Sequence, residues 1–409
     1  MLTLLELAYF WLGLFTFFSG LHVLLYFPLA LVYMFRRRWT AASLDVEPLV
    51  SVVVPAYNEG AVIANCVGSI LNSDYENLEV ILVNDGSTDH TLTEMQKFAG
   101  HPAVQIIDKP NGGKASALNE GIKHAKGDII FFVDADGIFR KDTIHEMLRG
   151  FHSPEVGAVC GNDSPVNLDR LQTRLLAIQT HVTTGLARRA LATMNCLLIV
   201  SGNIGAFRRT VIEKIGGFRH GFIGEDLELT WRVHQAGYKV EFQPNAMVYA
   251  EVPSTIASLW KQRVRWARGL LQTAALHRRM FFNPRYRLMG LYLPLNLFSH
   301  VVVPLLQLLT LGTLVFLFIL GGAAGNFDML ALLGWLGFGT LLLRTVFAVL
   351  LDGAWRDLSY FYVLPLSIPY SIFLNVVSIW ALILELRRTE AKWNKFSRTG
   401  VVSRQDVAL

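Results

Sequence analysis

Gly127-Asp128-Ile129-Ile130-Phe131-Phe132-Val133-Asp134-Ala135-Asp136 is the stretch that decides how this chain folds. Its β-branched and aromatic run, Ile129 to Val133, reads as a strand buried on both faces. Two carboxylates follow directly where that strand ends. In extended backbone, residues two apart point to the same side, so Asp134 and Asp136 face one way together. Such a pair suits a hard divalent cation that keeps positions open for phosphate oxygens. Asp136 is the expected direct ligand, and Asp134 lies nearer the ribose or sugar of whatever the metal holds. An isolated Asp-x-Asp triplet is commonly just an acidic turn before a helix, so the surroundings decide.

Upstream, strands and helices alternate. Val50 to Val54 is a β-branched strand expected to stop at Pro55. Ala61 to Leu71 carries helical apolar spacing. Strands over Val80 to Val83 and Val104 to Ile107 are each followed by a helix, Thr88 to Phe98 and Lys114 to Ala125. Lys141 to Phe151 is a helix after the Asp-x-Asp. This alternation predicts an α/β domain with a mostly parallel sheet and helices on both faces. Ligands of open α/β sheets sit beyond the carboxyl ends of strands. Tyr57-Asn58-Glu59, Asp85-Gly86 and Asp134-Ala135-Asp136 all fall at such ends. The second half is less regular: a long helix over Leu168 to Leu191, a short strand over Leu197 to Val200, a helix over Asp226 to Ala236, strands over Tyr238 to Phe242 and Met247 to Tyr249, and a basic amphipathic helix over Thr255 to Leu276.

The polar clusters divide the chemistry of a nucleotide among them. Asp85 can accept from a base or ribose, although Asp85-Gly86-Ser87-Thr88 also reads as a plain turn and cap. A flat ring at Tyr57 and an acceptor at Glu59 suit uracil. Asn111-Gly112-Gly113-Lys114 sets two glycines and a cation at a helix N-terminus, where amides and dipole already favour anions. A lysine there is electrostatically misplaced for the helix alone, so a phosphate nearby explains it. The spacing is not that of a Walker A loop. Glu225-Asp226 at a helix start reads first as a cap. Its functional reading is a general base, with Asp226 taking a proton from an incoming hydroxyl and Glu225 in support. On the basic helix, Gln262, Arg265 and Trp266 share one face. The guanidinium can stabilise a leaving diphosphate, and the indole offers a platform for a sugar ring. Lys261, Arg263 and Arg268 are expected to serve the membrane surface.

Composition places this domain beside a bilayer. Hydrophobic residues make up 52% of the 409, and a mean hydropathy of +0.38 is high for a soluble enzyme. The excess lies in runs: Leu7 to Phe35, Met289 to Phe327 and Leu358 to Leu384 carry no charge, and Met329 to Leu351 carries only Arg344. Each run is long enough to span as a helix. The expected organisation is an N-terminal anchor over 1–36, the α/β domain over 37–253, an interface helix region over 254–287, about three membrane helices over 288–386 and a basic tail over 387–409. Pro294 and Pro304 leave open that the first part of the second run lies in the interface. Arg36-Arg37-Arg38 after the first span puts the domain in the cytoplasm. Arg344 lines a translocation path, snorkels, or pairs with Asp352. Cys66, Cys160 and Cys196 lack metal or redox spacing and read as buried thiols. The net charge of +5 lies mostly near the membrane, so nucleic acid is not an expected partner.

With these residues in view, the chain resembles the family 2 inverting glycosyltransferases with a GT-A domain. Within them it is most similar to the processive membrane synthases of poly-N-acetylglucosamine, chitin oligosaccharide, hyaluronan and cellulose. The resemblance covers about Ser51 to Leu270 and rests on Asp85, Asp134-Ala135-Asp136, Glu225-Asp226 and Trp260-Lys261-Gln262-Arg263-Val264-Arg265-Trp266. It implies a UDP-sugar donor, with UDP-GlcNAc favoured and UDP-glucose second. It also implies Mg2+ or Mn2+, a cytosolic active site in a bacterial plasma membrane, and a growing β-linked glycan exported through the membrane helices. Asp85 then contacts uridine, Gln262 and Arg265 the diphosphate, and Trp266 the acceptor sugar at the channel mouth. Ser201-Gly202-Asn203 resembles the loop lining the acceptor site. The partners expected are the donor, the glycan, the bilayer and an accessory membrane subunit. A single entry span departs from relatives that have two. Two rival readings remain: a membrane glycosyltransferase adding one sugar to a lipid, and a nucleotide-regulated transporter or inactive scaffold.

Overall fold

A computed structural model describes residues 4–39, 47–319, 327–390 and 398–403. Parts of the expected basic tail, including Arg404, lie outside the described residues. The α/β domain begins after the long helix α1 (Leu4–Trp39). It runs β1 (Val50–Ala56), α2 (Ile63–Leu71), β2 (Leu78–Asp85), α3 (Thr91–Gln96), β3 (Val104–Lys109), α4 (Lys114–His124), β4 (Ile129–Phe132), β5 (Ile138–Phe139), α5 (Thr143–Leu148) and β6 (Val156–Pro165). Helix α6 (Leu171–Thr180) then passes through a π turn (His181–Leu186) into α7 (Ala187–Thr193). The domain continues with β7 (Gly205–Arg208), α8 (Arg209–Ile215), α9 (Glu225–Gln235), β8 (Lys239–Ala250) and α10 (Ile256–Leu276). Three further helices follow: α11 (Arg287–Ile319), α12 (Phe327–Leu351) and α13 (Ser367–Leu386).

The eight strands form one sheet in the order β3-β2-β1-β4-β7-β6-β8-β5. Pairings among β3, β2, β1 and β4 are parallel, as is β6 with β8. Strand β7 runs antiparallel to both neighbours, and β5 antiparallel to β8. The sheet is thus mixed and mostly parallel. The apolar runs bury fully, with Val53, Ile81, Ile130 and Phe131 at 0% exposure, and each such side chain contributes roughly 1.5–3 kcal/mol. Two buried clusters, one on each face of β1 and β4, account for the near-continuous apolar strands. Pro55 does not end β1; it pairs opposite Val83 inside the strand. The register of β4 with β1 ends at Val53, so Pro55 lies past the last registered pair on that side. Leu197 to Val200 is irregular rather than a strand, and the two expected late strands are one, β8. Strand β6, which the sequence pattern did not suggest, fills the sheet between β7 and β8.

The long helices tie into the domain at specific places. Tyr26 and Tyr292 share a hydrogen bond of 2.9 Å between α1 and α11, and Thr193 bonds the Leu29 carbonyl at 3.0 Å. Both prolines of α11 lie within a continuous helix. Asp352, just past α12, is bound by His181 at 2.7 Å and by Arg189 at 2.5 Å, while Asp357 takes the other His181 nitrogen at 2.9 Å. Asp352 is therefore not a partner of Arg344. Helix α10 starts in a capping box between Thr255 and Ser258 and packs on α13 through Trp260 and Phe373, ring centroids 5.7 Å apart. Two helical stretches, Pro284–Phe316 and Trp355–Leu386, are long and apolar enough to cross a membrane, and Leu24–Arg36 and Trp335–Leu351 are shorter apolar helices. The three cysteines are buried and free.

Candidate active site

One cavity of about 1850 Å³ runs from the carboxyl ends of β1, β2 and β4 to the space between the long helices. Tyr57, Glu59, Asp85, Lys114, Asp134, Asp136, Ser201, Gly202, Glu225, Asp226, Gln262, Arg265 and Trp266 all line it. The sheet brings the first six to one rim. The loop before β7 adds Ser201 and Gly202, the start of α9 adds the acidic pair, and α10 adds the last three.

Lys114 is the hub of this rim. Its Nζ stands 2.7 Å from Asp134 and 3.1 Å from Glu225. Two carboxylates account for the cation at the start of α4, whether or not a phosphate joins them. Burial alone pulls the ammonium down, but Asp134, Glu225 and Asp226 together hold it above the ordinary lysine value. Burial pushes Asp134 up, yet Lys114 outweighs it, with Arg398 and Arg265 adding, and Asp134 stays below the usual carboxylate range. Gly202 packs against this pair: its carbonyl accepts the Asp134 amide at 3.0 Å, and a Cβ there would lie 3.0 Å from Lys114 Nζ. No larger residue fits without moving that cation.

Asp226 differs from its neighbours. Its Oδ1 takes the Leu227 amide at 2.8 Å, and among the described residues no side chain bonds its other oxygen. Burial, then the adjacent Glu225 carboxylate, push it up to about 6, against the opposing pull of Lys114. Its position relative to α10 is fixed from below. Glu228, at 0% exposure, accepts from Arg232 at 2.8 Å and from His277 at 3.1 Å, and so joins α9 to the end of α10. Above it, Gly224 and Gly269 meet backbone to backbone, and a Cβ on Gly224 would come within 3.2 Å of Gly269 Cα.

Asp85 is held rather than free. Its oxygens take Lys109 Nζ at 2.6 Å and the Gly112 and Gly113 amides at 3.0 and 2.8 Å. It shapes the Asn111–Gly113 loop while lining the cavity. On α10, Arg263 and Arg268 do not face lipid as expected. The Arg263 guanidinium lies 4.2 Å over the Trp266 ring inside the cavity. Arg268 is buried and binds Glu385 of α13 and the Thr389 carbonyl. Lys261 is exposed.

The sequence pattern missed Arg398. Its guanidinium stands 2.9 Å from Asp136 Oδ1 and donates to the Glu251 carbonyl at 2.7 Å. Glu251 in turn binds the Thr399 amide at 2.9 Å and the Gly400 amide at 3.2 Å. The tail's basic composition gives no sign of this docking. Asp136 is raised by burial, opposed by Arg398 and reinforced by Asp134.

Among the described residues, no group of three or more His, Cys, Asp or Glu forms a metal cage. Asp134 and Asp136 nevertheless fit a hard cation that draws its remaining ligands from a diphosphate and water. Asp136 Oδ1 is buried and accepts no hydrogen bond. It faces a positive charge, which is the kind of partner such an oxygen requires.

Comparisons with known proteins bear on the family and the fold. Residues 48–269 match the family model described as glycosyltransferase like family 2. The chain is 32% identical over 255 residues to the poly-beta-1,6-N-acetyl-D-glucosamine synthase of Staphylococcus aureus (strain COL), covering 60% of this chain and 62% of that protein. The protein of the same name from Staphylococcus epidermidis is 32% identical over 222 residues, 54% of each chain. The matched part is thus less than two thirds of either relative. A mannosyltransferase from Pyrobaculum calidifontis, solved in complex with GDP-Man and Mn2+, superposes over 93% of this chain and 100% of its own, with a TM-score of 0.61 and 25% identity. The chain belongs to glycosyltransferase family 2, and its α/β domain is a GT-A domain.

Proposed function

We propose that this chain is an inverting membrane glycosyltransferase that builds a β-linked glycan from a UDP-sugar, UDP-GlcNAc first and UDP-glucose second. The observation that carries it is Asp226. A carboxylate with an oxygen unbonded by any described side chain, pushed up to about 6, lines the same cavity as the Asp134–Asp136 pair and the Gln262–Arg265–Trp266 face.

In this reading Asp226 takes the proton of the acceptor hydroxyl as its oxygen bonds to the anomeric carbon. The bond from that carbon to the diphosphate breaks, its electron pair leaves with UDP, and the configuration inverts. Glu225, paired to Lys114, sits beside Asp226 and helps raise its proton affinity. Tyr57, Glu59 and Asp85 with its loop frame the nucleoside. Gln262 and Arg265 meet the developing charge on the diphosphate. Trp266, Ser201 and Gly202 hold the acceptor sugar. Asp136, with Asp134, would hold Mg2+ or Mn2+, which when bound neutralises diphosphate charge. The long helices would set the chain in a bacterial plasma membrane with the domain on the cytoplasmic side, and an accessory membrane subunit is compatible with that setting.

A second reading, addition of one sugar to a lipid, is favoured by the apolar far end of the cavity at Leu314, Phe318 and Leu336. The experiment is UDP release from a panel of UDP-sugars by the purified full chain with Mg2+, followed by sizing of the product. A ladder or polymer supports glycan synthesis. A single glycolipid product overturns it in favour of the second reading, and no turnover of any donor overturns both.

A further inference from the structure

The membrane half of the cavity contains a charge that neither reading uses. Arg344 lies within α12, about 10 Å before the helix ends, and lines the cavity. Its Nε is buried without a hydrogen-bond partner, and no ion pair or ring contact engages the rest of the guanidinium among the described residues. Among the described residues, those that α1, α11, α12 and α13 contribute to the cavity lining include no carboxylate, and Arg344 is their only Lys or Arg. A guanidinium in so apolar a helix is costly unless an anion compensates it. Among the described residues none does so: Asp352, the nearest acid along the chain, is already bound by His181 and Arg189.

The walls around Arg344 have two characters. Toward the domain, Tyr292, Asn296, His300 and Gln307 follow one face of α11 and line the cavity with polar groups. Away from it, the lining turns to Leu314, Phe318, Leu336 and Phe338. A ligand matching this sequence has a hydroxylated part near the domain, an anionic group at Arg344 and an apolar tail beyond. Arginine presents a fork suited to phosphate oxygens, and the anions of a bilayer are phosphate esters.

We propose that the membrane half of the cavity binds a phosphate-bearing lipid with its phosphate on Arg344 and its tail along the far end of α12. This rests on the second reading above, in which a lipid occupies the apolar end of the cavity. It names an anionic amphiphile as that occupant.

The test uses the full chain in a neutral detergent with dodecyl phosphate, dodecyl maltoside and inorganic phosphate as probes. Wild type binds dodecyl phosphate saturably and neither of the other two at the same concentrations. Arg344→Gln weakens that binding at least about 30-fold, the low end for truncating one partner of a desolvated charge pair, and Arg344→Lys restores part of it. UDP binding stays equal in all three proteins and reports that each is folded. Dodecyl phosphate binding that is absent in wild type, or equal in Arg344→Gln, overturns the proposal. Inorganic phosphate binding as tightly as dodecyl phosphate overturns the lipid assignment. UDP release from UDP-GlcNAc, read separately, fails only if the transfer reading fails.

Discussion

The two halves of the cavity handle charge in opposite ways. At the sheet rim, acids and bases interlock: Lys114 joins Asp134 and Glu225, Lys109 joins Asp85, and Arg398 joins Asp136. Between the long helices one cation, Arg344, stands without a partner among the described residues. A rim so fully paired is built to keep its geometry while a multiply charged ligand comes and goes. A lone charge in an apolar wall is satisfied only by what binds there. In the proposed reading the donor belongs to the first half, and an anionic amphiphile to the second. Asp226 sits on the rim with no paired cation of its own, which is what a proton-transfer group at the junction needs.

The sharpest way to break this contrast is at Asp226. Asp226→Asn removes the base and leaves the ion pairs in place, so turnover should fall about 10²–10⁴-fold, measured as UDP release. Removing the hub tests whether the rim is as interlocked as its distances say. Lys114→Met strands Asp134 and Glu225 together, and thermal unfolding should show a loss of about 3 kcal/mol. Lys114→Arg should recover part of it.

Acidity separates the two roles of Asp226. Its pKa is raised to about 6 by burial first and Glu225 next. Folding therefore disfavours its charged form, and its contribution to stability falls as pH rises from about 4 through 6. Activity runs the other way: kcat/KM should drop about tenfold per pH unit below 6, because a protonated carboxyl takes no proton. Asp226→Asn should flatten the stability arm in that window. An unchanged stability profile would show that the carboxyl is not strained by its surroundings.

The smallest expected effect lies at the tail. Arg398→Gln removes the ion pair to Asp136 and so loosens the docking of residues 398–403 on the rim. Cleavage of residues 398–403 by added protease should quicken, and Mn2+ should bind several-fold more tightly because Asp136 loses its resident cation. Weaker Mn2+ binding would instead make Arg398 part of the support for the metal.

Much of the first half of the domain was legible because parallel strands buried on both faces leave unbroken apolar runs, and each ended in a polar cluster. Residues 129–136 carried that signal most clearly. Strand β6 was not legible, since Val156 to Pro165 mixes glycine, cysteine and polar residues that only its neighbours β7 and β8 make sense of. Pro55 misled because a strand tolerates a proline past its last registered pair, and where β4 stops pairing is not written in β1 itself. Arg263 and Arg268 read as lipid-facing because helical spacing shows a face but not what covers it. Arg398 was hidden for a plainer reason: it approaches Asp136 from more than 250 residues away, and no local pattern records such a contact.

UDP release from UDP-GlcNAc by the full chain in lipid nanodiscs with Mg2+, compared between wild type and Asp226→Asn alongside UDP binding, tests the account most directly. It predicts turnover in wild type, a loss of about 10³-fold in the variant, and the same UDP affinity in both. Equal turnover, or a loss matched by lost UDP binding, would contradict it.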